Sequence, residues 1–167
     1  MSKKILVAFG SKYGATAEIA KKIGEILSNS GAAVKVLSAD KIVDVEKYDV
    51  VVVGSGVYVD MWRKEAQKFL QKNLESLAQK KVWVFVSGLT GDGDPVEEMQ
   101  GKLYPEKLQP VFEAIKPVET TAFHGNVNFT KLSGFEKWIM KKVKTPEGDF
   151  RDWDAISAWA KGISSQL

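Results

Sequence analysis

Ile5-Leu6-Val7-Ala8-Phe9, Tyr48–Val53 and Val82-Trp83-Val84-Phe85-Val86 are apolar runs rich in β-branched and aromatic residues, interrupted only by Asp49 in the second. A strand with one face in water alternates apolar and polar side chains. An unbroken run needs cover on both faces, which is the condition of a parallel sheet between two layers of helices. Each run stops at a loop containing glycine, and behind each loop apolar residues return at helical spacing. Ile19, Ile23, Ile26 and Leu27 follow the first run, within a helix expected from Thr16 to about Asn29 and stopped near Gly31. Trp62, Ala66, Phe69, Leu70, Leu74 and Leu77 follow the second. Behind the third, Pro95–Gln100 suits a short helical turn, and Pro105 opens a helix carrying Leu108, Val111, Phe112 and Ile115.

Ala33–Leu37 and Pro117–Phe123 complete a set of five expected strands, and Trp153, Ile156, Trp159, Ala160 and Ile163 mark a terminal helix. Parallel neighbours cannot be joined by hairpins, so strand–helix alternation predicts an α/β doubly wound sheet with helices on both faces. Five strands in 167 residues fit one domain over 1–167 with strand order 2-1-3-4-5. In that order ligands bind beyond the carboxyl ends of the strands, where loops begin at Gly10, Gly54, Ser87 and His124.

Composition removes whole classes of chemistry. The chain has no cysteine and one histidine, His124, which excludes disulfides, thiolate metal sites, iron–sulfur clusters and multi-histidine metal centres. Redox chemistry here requires an organic cofactor. The net charge of +3 comes mainly from lysine, with Arg63 and Arg151 the only arginines, a poor profile for nucleic-acid binding. No apolar stretch reaches the roughly 18 residues of a membrane span, and the apolar run behind Lys3-Lys4 lacks a cleavage site, so a cytoplasmic protein is expected.

The loop Gly10-Ser11-Lys12-Tyr13-Gly14-Ala15-Thr16 leads from a buried strand straight into a helix. Free backbone N–H groups and the positive end of the helix dipole meet an anion there. The spacing matches neither the Walker signature nor the three-glycine dinucleotide fingerprint. Ordinary capping by Ser11 and Thr16 is the plainer reading of the same residues.

With its small hydroxylic residues, central glycine and closing threonine, this loop resembles the phosphate loop of flavodoxins. The resemblance implies a flavodoxin-like fold in which Ser11, Lys12, Tyr13, Gly14, Ala15 and Thr16 wrap the phosphate of FMN, with Gly10 where many flavodoxins have Ser or Thr. It implies that Gly54-Ser55-Gly56-Val57-Tyr58-Val59-Asp60-Met61-Trp62 carries the dimethylbenzene and N5 side of the ring, contacted by Ser55, Gly56 and Val57. Tyr58 and Trp62 are the candidate aromatic walls, and Asp60 stands where relatives often have glycine. Trp62 also sits at helical spacing with Ala66 and Phe69, the signature of plain core. The resemblance gives the ring's pyrimidine edge to Ser87, Gly88, Leu89, Thr90 and Gly91. Asp92 and Asp94 in the same loop lack the spacing and flanking helices of a calcium loop.

The tail, Phe123–Phe129, Lys131–Lys142 and Glu147-Gly148-Asp149-Phe150-Arg151-Asp152-Trp153, is similar to the flavodoxin-domain group that includes menaquinone-dependent protoporphyrinogen dehydrogenase. In that group a basic helical insertion, here about 130–145, follows the last strand. Asp149 or Asp152 suits the cap of the last helix, and Arg151 suits an ion pair. Leu132, Phe135, Ile139 and Val143 form a stripe among five lysines. Such a stripe packs on its own domain, frames an apolar substrate entrance, or rests on an anionic membrane through 131–144. His124 suits a hydrogen-bonded strand end or a position beside a flavin.

The resemblance therefore implies an FMN oxidoreductase passing electrons from a porphyrinogen to a quinone, with no catalytic side chain of its own. The alternative is a flavodoxin carrying electrons between redox-protein partners. A cofactor-free receiver-like domain lacks support, because such domains need an acidic cluster at the first loop and a phosphoacceptor aspartate where this chain has Gly54.

Overall fold

The structure is a computed structural model that describes residues 2–58 and 61–167, so the expectation attached to Asp60 lies outside the described residues. Strands β1 (Lys4–Gly10), β2 (Ala33–Ser38), β3 (Val50–Tyr58), β5 (Lys81–Leu89) and β6 (Glu119–His124) form a parallel sheet in the order β2-β1-β3-β5-β6. This is the expected 2-1-3-4-5 order of five parallel strands, and the fold is flavodoxin-like. Two short additions were not expected: β4 (Met61–Trp62), antiparallel to the end of β3, and the pair β7 (Asn126–Val127) and β8 (Gly148–Asp149).

The period of two within each apolar run explains the double core. Leu6 and Ala8 of β1, Val51 and Val53 of β3, and Val82, Val84 and Val86 of β5 face one side. There they meet α2 (Lys64–Lys72), α3 (Leu74–Leu77) and α5 (Gln109–Ile115) through Phe69, Leu70, Leu77, Phe112 and Ile115. The alternate residues Ile5, Val7, Val50, Val52, Trp83 and Phe85 face α1 (Ala15–Asn29) and α7 (Trp153–Ser164), packing on Ile19, Ile23, Leu27, Ile156 and Ile163. Burying an aliphatic side chain of this kind contributes roughly 1.5–3 kcal/mol, so both faces are needed to offset chain entropy.

Several boundaries differ from the sequence reading, the last strand for one starting at Glu119 rather than Pro117. The second long run does not stop at Gly54-Ser55-Gly56. The parallel ladder with β5 runs on to Gly56, Gly54 letting the Phe85 ring lie over the strand where a Cβ would come within 2.0 Å of it, and Val57–Tyr58 then pair with β4. The next helix starts at Lys64 rather than Trp62, which belongs to β4, and the helical run breaks between α2 and α3 at Asn73. Pro105 precedes a single 3-10 turn (Glu106–Leu108), and α5 follows it.

The tail keeps close to expectation. Asp152 caps α7 by accepting a hydrogen bond from Ala155 N at 3.0 Å, while Asp149 pairs with Arg151 instead. Arg151 also reaches Glu18 of α1 at 3.1 Å, which ties the two helices on that face together. The basic segment forms α6 (Gly134–Lys142), opened by a capping box between Ser133 and Glu136. Short α4 (Pro95–Glu98) is capped by Asp94.

Candidate functional site

The site begins where β1 ends. Gly14 sits in the left-handed region with φ 95°, and its N–H donates to Ser11 Oγ at 3.0 Å, which turns the chain into α1. No side chain caps the helix. The amides of its first turn, Ala15, Thr16 and Ala17, have no acceptor within the helix, and the positive end of the dipole points outward with them. The Thr16 hydroxyl is buried and hydrogen-bonded to Ser87 Oγ at 2.8 Å, which fixes the first turn of α1 against the end of β5.

This helix end opens into a cavity of about 340 Å³. Its walls are Ser11–Tyr13 and Ala15–Thr16, then Gly56–Tyr58, Ser87–Thr90 and Gly125–Asn128, the exits of β1, β3, β5 and β6. The last three loops touch through their backbones. A Cβ on Gly88 would lie 2.5 Å from Val57 O, and one on Gly125 would lie 2.7 Å from the Gly88 Cα. Gly88 also has φ 137°. Only glycine lets these loops close together at that depth. Leu132, Ile139, Met140 and Val143 of the α6 segment line the opposite side, so the insertion roofs the cavity with apolar groups.

Charge at the mouth is organised by Glu136. Its Oε2 accepts hydrogen bonds from Lys12 Nζ at 2.7 Å, Tyr58 Oη at 2.9 Å and Tyr13 Oη. The Lys12 ammonium holds this carboxyl below the usual carboxylate range. Lys12 also lies 4.5 Å from the Tyr58 ring centroid, and the Tyr13 and Tyr58 rings meet edge to face at 6.1 Å. Lys131 Nζ donates to Tyr13 O at 3.2 Å.

Of the residues singled out from the sequence, Ser11, Lys12, Tyr13, Ala15, Thr16, Gly56, Val57, Tyr58, Ser87, Gly88, Leu89 and Thr90 line this one cavity. Four do not. Trp62 is core: its indole packs edge-on to Phe112 at 5.9 Å, and Nε1 donates to Leu103 O at 3.0 Å. Ser55 is fully buried and turned to the backbone, donating to Gly56 O and accepting from Arg63 N. Gly91 lines a separate groove with His124, Phe150 and Trp153. Gly14 shapes the loop from behind, and a Cβ there would meet open space.

The sequence reading missed Glu18, Arg63, Met140, Thr145 and Gly125–Asn128 as cavity residues, and it missed Glu136, which bonds the lining residues Lys12, Tyr13 and Tyr58. The Ser133-x-x-Glu136 capping spacing and the strand exit at His124 were the signals available for two of them. His124 itself bonds Glu98 Oε2 at 3.2 Å and faces the second groove. Of the aromatic and apolar stripe, Leu132, Ile139 and Val143 reach the cavity, whereas Phe135 is 70% exposed.

A doubly wound parallel sheet with its crevice at the carboxyl ends of β1, β3 and β5, where α1 begins, defines an α/β protein of the flavodoxin-like fold. The Flavodoxin domain family model matches residues 6–154, and the chain belongs to that family. No curated protein matches the sequence. Among solved structures, a flavodoxin from Streptococcus pneumoniae TIGR4 is 17% identical with a TM-score of 0.62, over 98% of this chain and 99% of that one. Rubredoxin oxygen:oxidoreductase from Desulfovibrio gigas is 15% identical with a TM-score of 0.63; it covers 98% of this chain, which spans only 35% of the oxidoreductase chain. The two-electron reduced flavodoxin of Megasphaera elsdenii is 19% identical with a TM-score of 0.55, over 71% of this chain and 84% of that one. These likenesses are likenesses of fold.

Proposed function

We propose that the cavity binds one FMN without a covalent link and that the protein is an oxidoreductase acting through it. One observation carries this reading: the uncapped first turn of α1 opens onto a cavity of about 340 Å³ whose walls are the loops after β1, β3, β5 and β6. That volume lies within the range of small-molecule pockets, roughly 300–1,000 Å³. The donor set suits the ligand. The Ala15–Ala17 amides, Ser11 and Lys12 are the groups for a phosphate, Tyr58 is an aromatic face, and the Gly56–Val57 and Gly88–Thr90 backbones are polar edges for a flat heterocycle.

When bound, FMN supplies the one- or two-electron chemistry that the side chains of this chain lack. The chain's own part is to hold the phosphate by backbone N–H groups, to clamp the ring between glycine loops, and to keep water off one side with α6. No side chain is assigned as general acid or base.

The electron partners in this reading are a lipophilic quinone and a porphyrinogen, in the manner of protoporphyrinogen dehydrogenase. The apolar roof of Leu132, Ile139, Met140 and Val143 supports an apolar small molecule beside the cofactor rather than a purely protein partner. The lysines and exposed aromatic residues of the same helix support a cytoplasmic protein resting on the inner face of a membrane. The alternative is an electron carrier between redox proteins, favoured by the likeness to several flavodoxins across nearly the whole chain.

Anaerobic reduction of the FMN-loaded protein separates the two. Turnover with protoporphyrinogen IX as donor and menaquinone as acceptor is expected. Protein that binds FMN, exchanges electrons with redox proteins and ignores both small molecules is a carrier. Protein that leaves FMN fluorescence unquenched on titration has lost the whole reading.

A further inference from the structure

Glu136 is an odd residue to find at the mouth of an anion site. A carboxylate beside a phosphate loop repels the ligand, so it needs another explanation for its position. Its Oε2 gathers donors from two different walls of the cavity: Lys12 and Tyr13 from the loop after β1, and Tyr58 from the end of β3. The carboxylate is carried by the roofing helix, and its Oε1 meanwhile accepts from Ser133 N at 3.2 Å to hold the start of that helix. The side chain is 17% exposed. Among the described residues, few other polar contacts hold the α6 segment down: Lys131 Nζ, just before the helix, reaches Tyr13 O, and the remaining inward groups are the apolar residues over the cavity.

We propose that Glu136 is the latch of the α6 roof, a positioning residue that sets how fast the cofactor enters and leaves rather than how tightly it is held. The inference rests on the FMN reading and names the residue that regulates that site. Breaking the latch frees α6 from both walls at once. Entry and exit therefore share one barrier, the release of a carboxylate from charge-assisted bonds.

Glu136→Gln is the direct test. Glutamine preserves side-chain volume and suits the capping box, while removing the charge that pairs with Lys12. Two measurements are made on the full chain. Tryptic cleavage at Lys137, Lys141 and Lys142 of the FMN-free protein reads the opening of α6. Stopped-flow quenching of FMN fluorescence reads association and dissociation. The expected result is cleavage at least about fivefold faster, with kon and koff both rising about tenfold and Kd changing by less than about threefold. Tyr58→Phe, which removes one donor and leaves the ion pair, shifts the same rates in the same direction by less.

A rise in koff with unchanged kon makes Glu136 an ordinary contributor to affinity and overturns the proposal. Unchanged cleavage also overturns it. If neither protein quenches FMN, the cofactor assignment fails, while faster cleavage in Glu136→Gln still marks the residue as what holds α6 closed.

Discussion

Thr16 Oγ1 and Ser87 Oγ lie 2.8 Å apart in a buried hydrogen bond that joins the first turn of α1 to the end of β5. Both residues were read as cofactor ligands, and both line the cavity, yet their hydroxyls hold each other. They position two walls of the site through a contact made inside the protein. Removing one partner leaves the other hydroxyl buried and unpaired, which costs about 1–3 kcal/mol. Thr16→Val is therefore expected to lower the Tm of the FMN-free protein by several degrees, at about 2–4 °C per kcal/mol for a chain of this size. The pair Thr16→Val and Ser87→Ala should cost less than the sum of the single changes. Strict additivity in thermal unfolding would show that the bond contributes nothing.

Gly88 presents a different requirement. It combines φ 137° with Val57 O only 2.5 Å from the place a Cβ would occupy. Gly88→Ala must push the loop after β5 away from the end of β3 as well as strain its own backbone. Both effects widen the cavity, so at least a tenfold rise in FMN Kd is expected, with a fall in Tm. Gly14 separates these two causes. Its φ is 95°, but among the described residues nothing lies within 4 Å of its missing Cβ. Strain alone applies there. Gly14→Asn, which tolerates the left-handed region, should stay close to wild type in thermal unfolding, and Gly14→Val should lose about 1–2 kcal/mol. Equal losses for Asn and Val would point to crowding that the FMN-free geometry does not contain.

Arg151 links the tail to α1. Its guanidinium bonds Asp149 through Nε at 2.9 Å and Nη2 at 2.8 Å, reaches Glu18 at 3.1 Å, and lies 4.7 Å from the Trp153 ring centroid. The hydrogen bond from Arg151 holds the Asp149 carboxyl below its ordinary value of 3.8, and Asp149 in turn raises the pKa of Arg151. A depressed folded-state carboxylate contributes stability that is complete above its unfolded value and is lost as pH falls through the folded one. Arg151→Met is accordingly expected to cost about 1–2 kcal/mol near neutrality. Its Tm deficit should narrow as pH drops below about 4, toward the depressed value. A deficit that stays constant from pH 7 to pH 3 would assign the loss to packing on Trp153 instead.

The layered fold was legible because burial on both faces leaves a plain mark. Val50–Val53 and Val82–Val86 have no polar residue to place in water, and Ile19, Ile23 and Leu27 repeat on one side of a helix. The loops were legible only as positions. Gly56 and Gly88 stand at strand exits, which locates the crevice, but local sequence does not say which way a side chain turns within it. Ser55 is thus turned into the protein, and Trp62 packs under the sheet against Phe112. The contribution of Glu136 was invisible for another reason. Its partners Lys12 and Tyr58 are 124 and 78 residues away, and no local pattern encodes such a meeting.

The outward side of α6 carries the last prediction. Phe135 and Trp138 are 70% and 57% exposed, and their rings stack with centroids 6.2 Å apart. The Lys142 ammonium lies 4.8 Å from the Trp138 ring centroid. The helix's one carboxylate, Glu136, is turned inward to Lys12, which leaves the exposed side with lysine as its charged residue. An apolar centre ringed by ammonium groups suits an anionic lipid surface, where each lysine contributes about 1 kcal/mol near the headgroups. The chain should sediment with vesicles containing phosphatidylglycerol and remain in the supernatant with pure phosphatidylcholine. Raising the salt should release it, since surface attraction falls off within a Debye length. The double variant Phe135→Ser and Trp138→Ser should weaken sedimentation at least fivefold while leaving the Tm within about 1 °C, because neither ring is buried. Equal binding to both kinds of vesicle, or a double variant that sediments like the wild type, would remove α6 as the contact and leave these rings without an assigned partner.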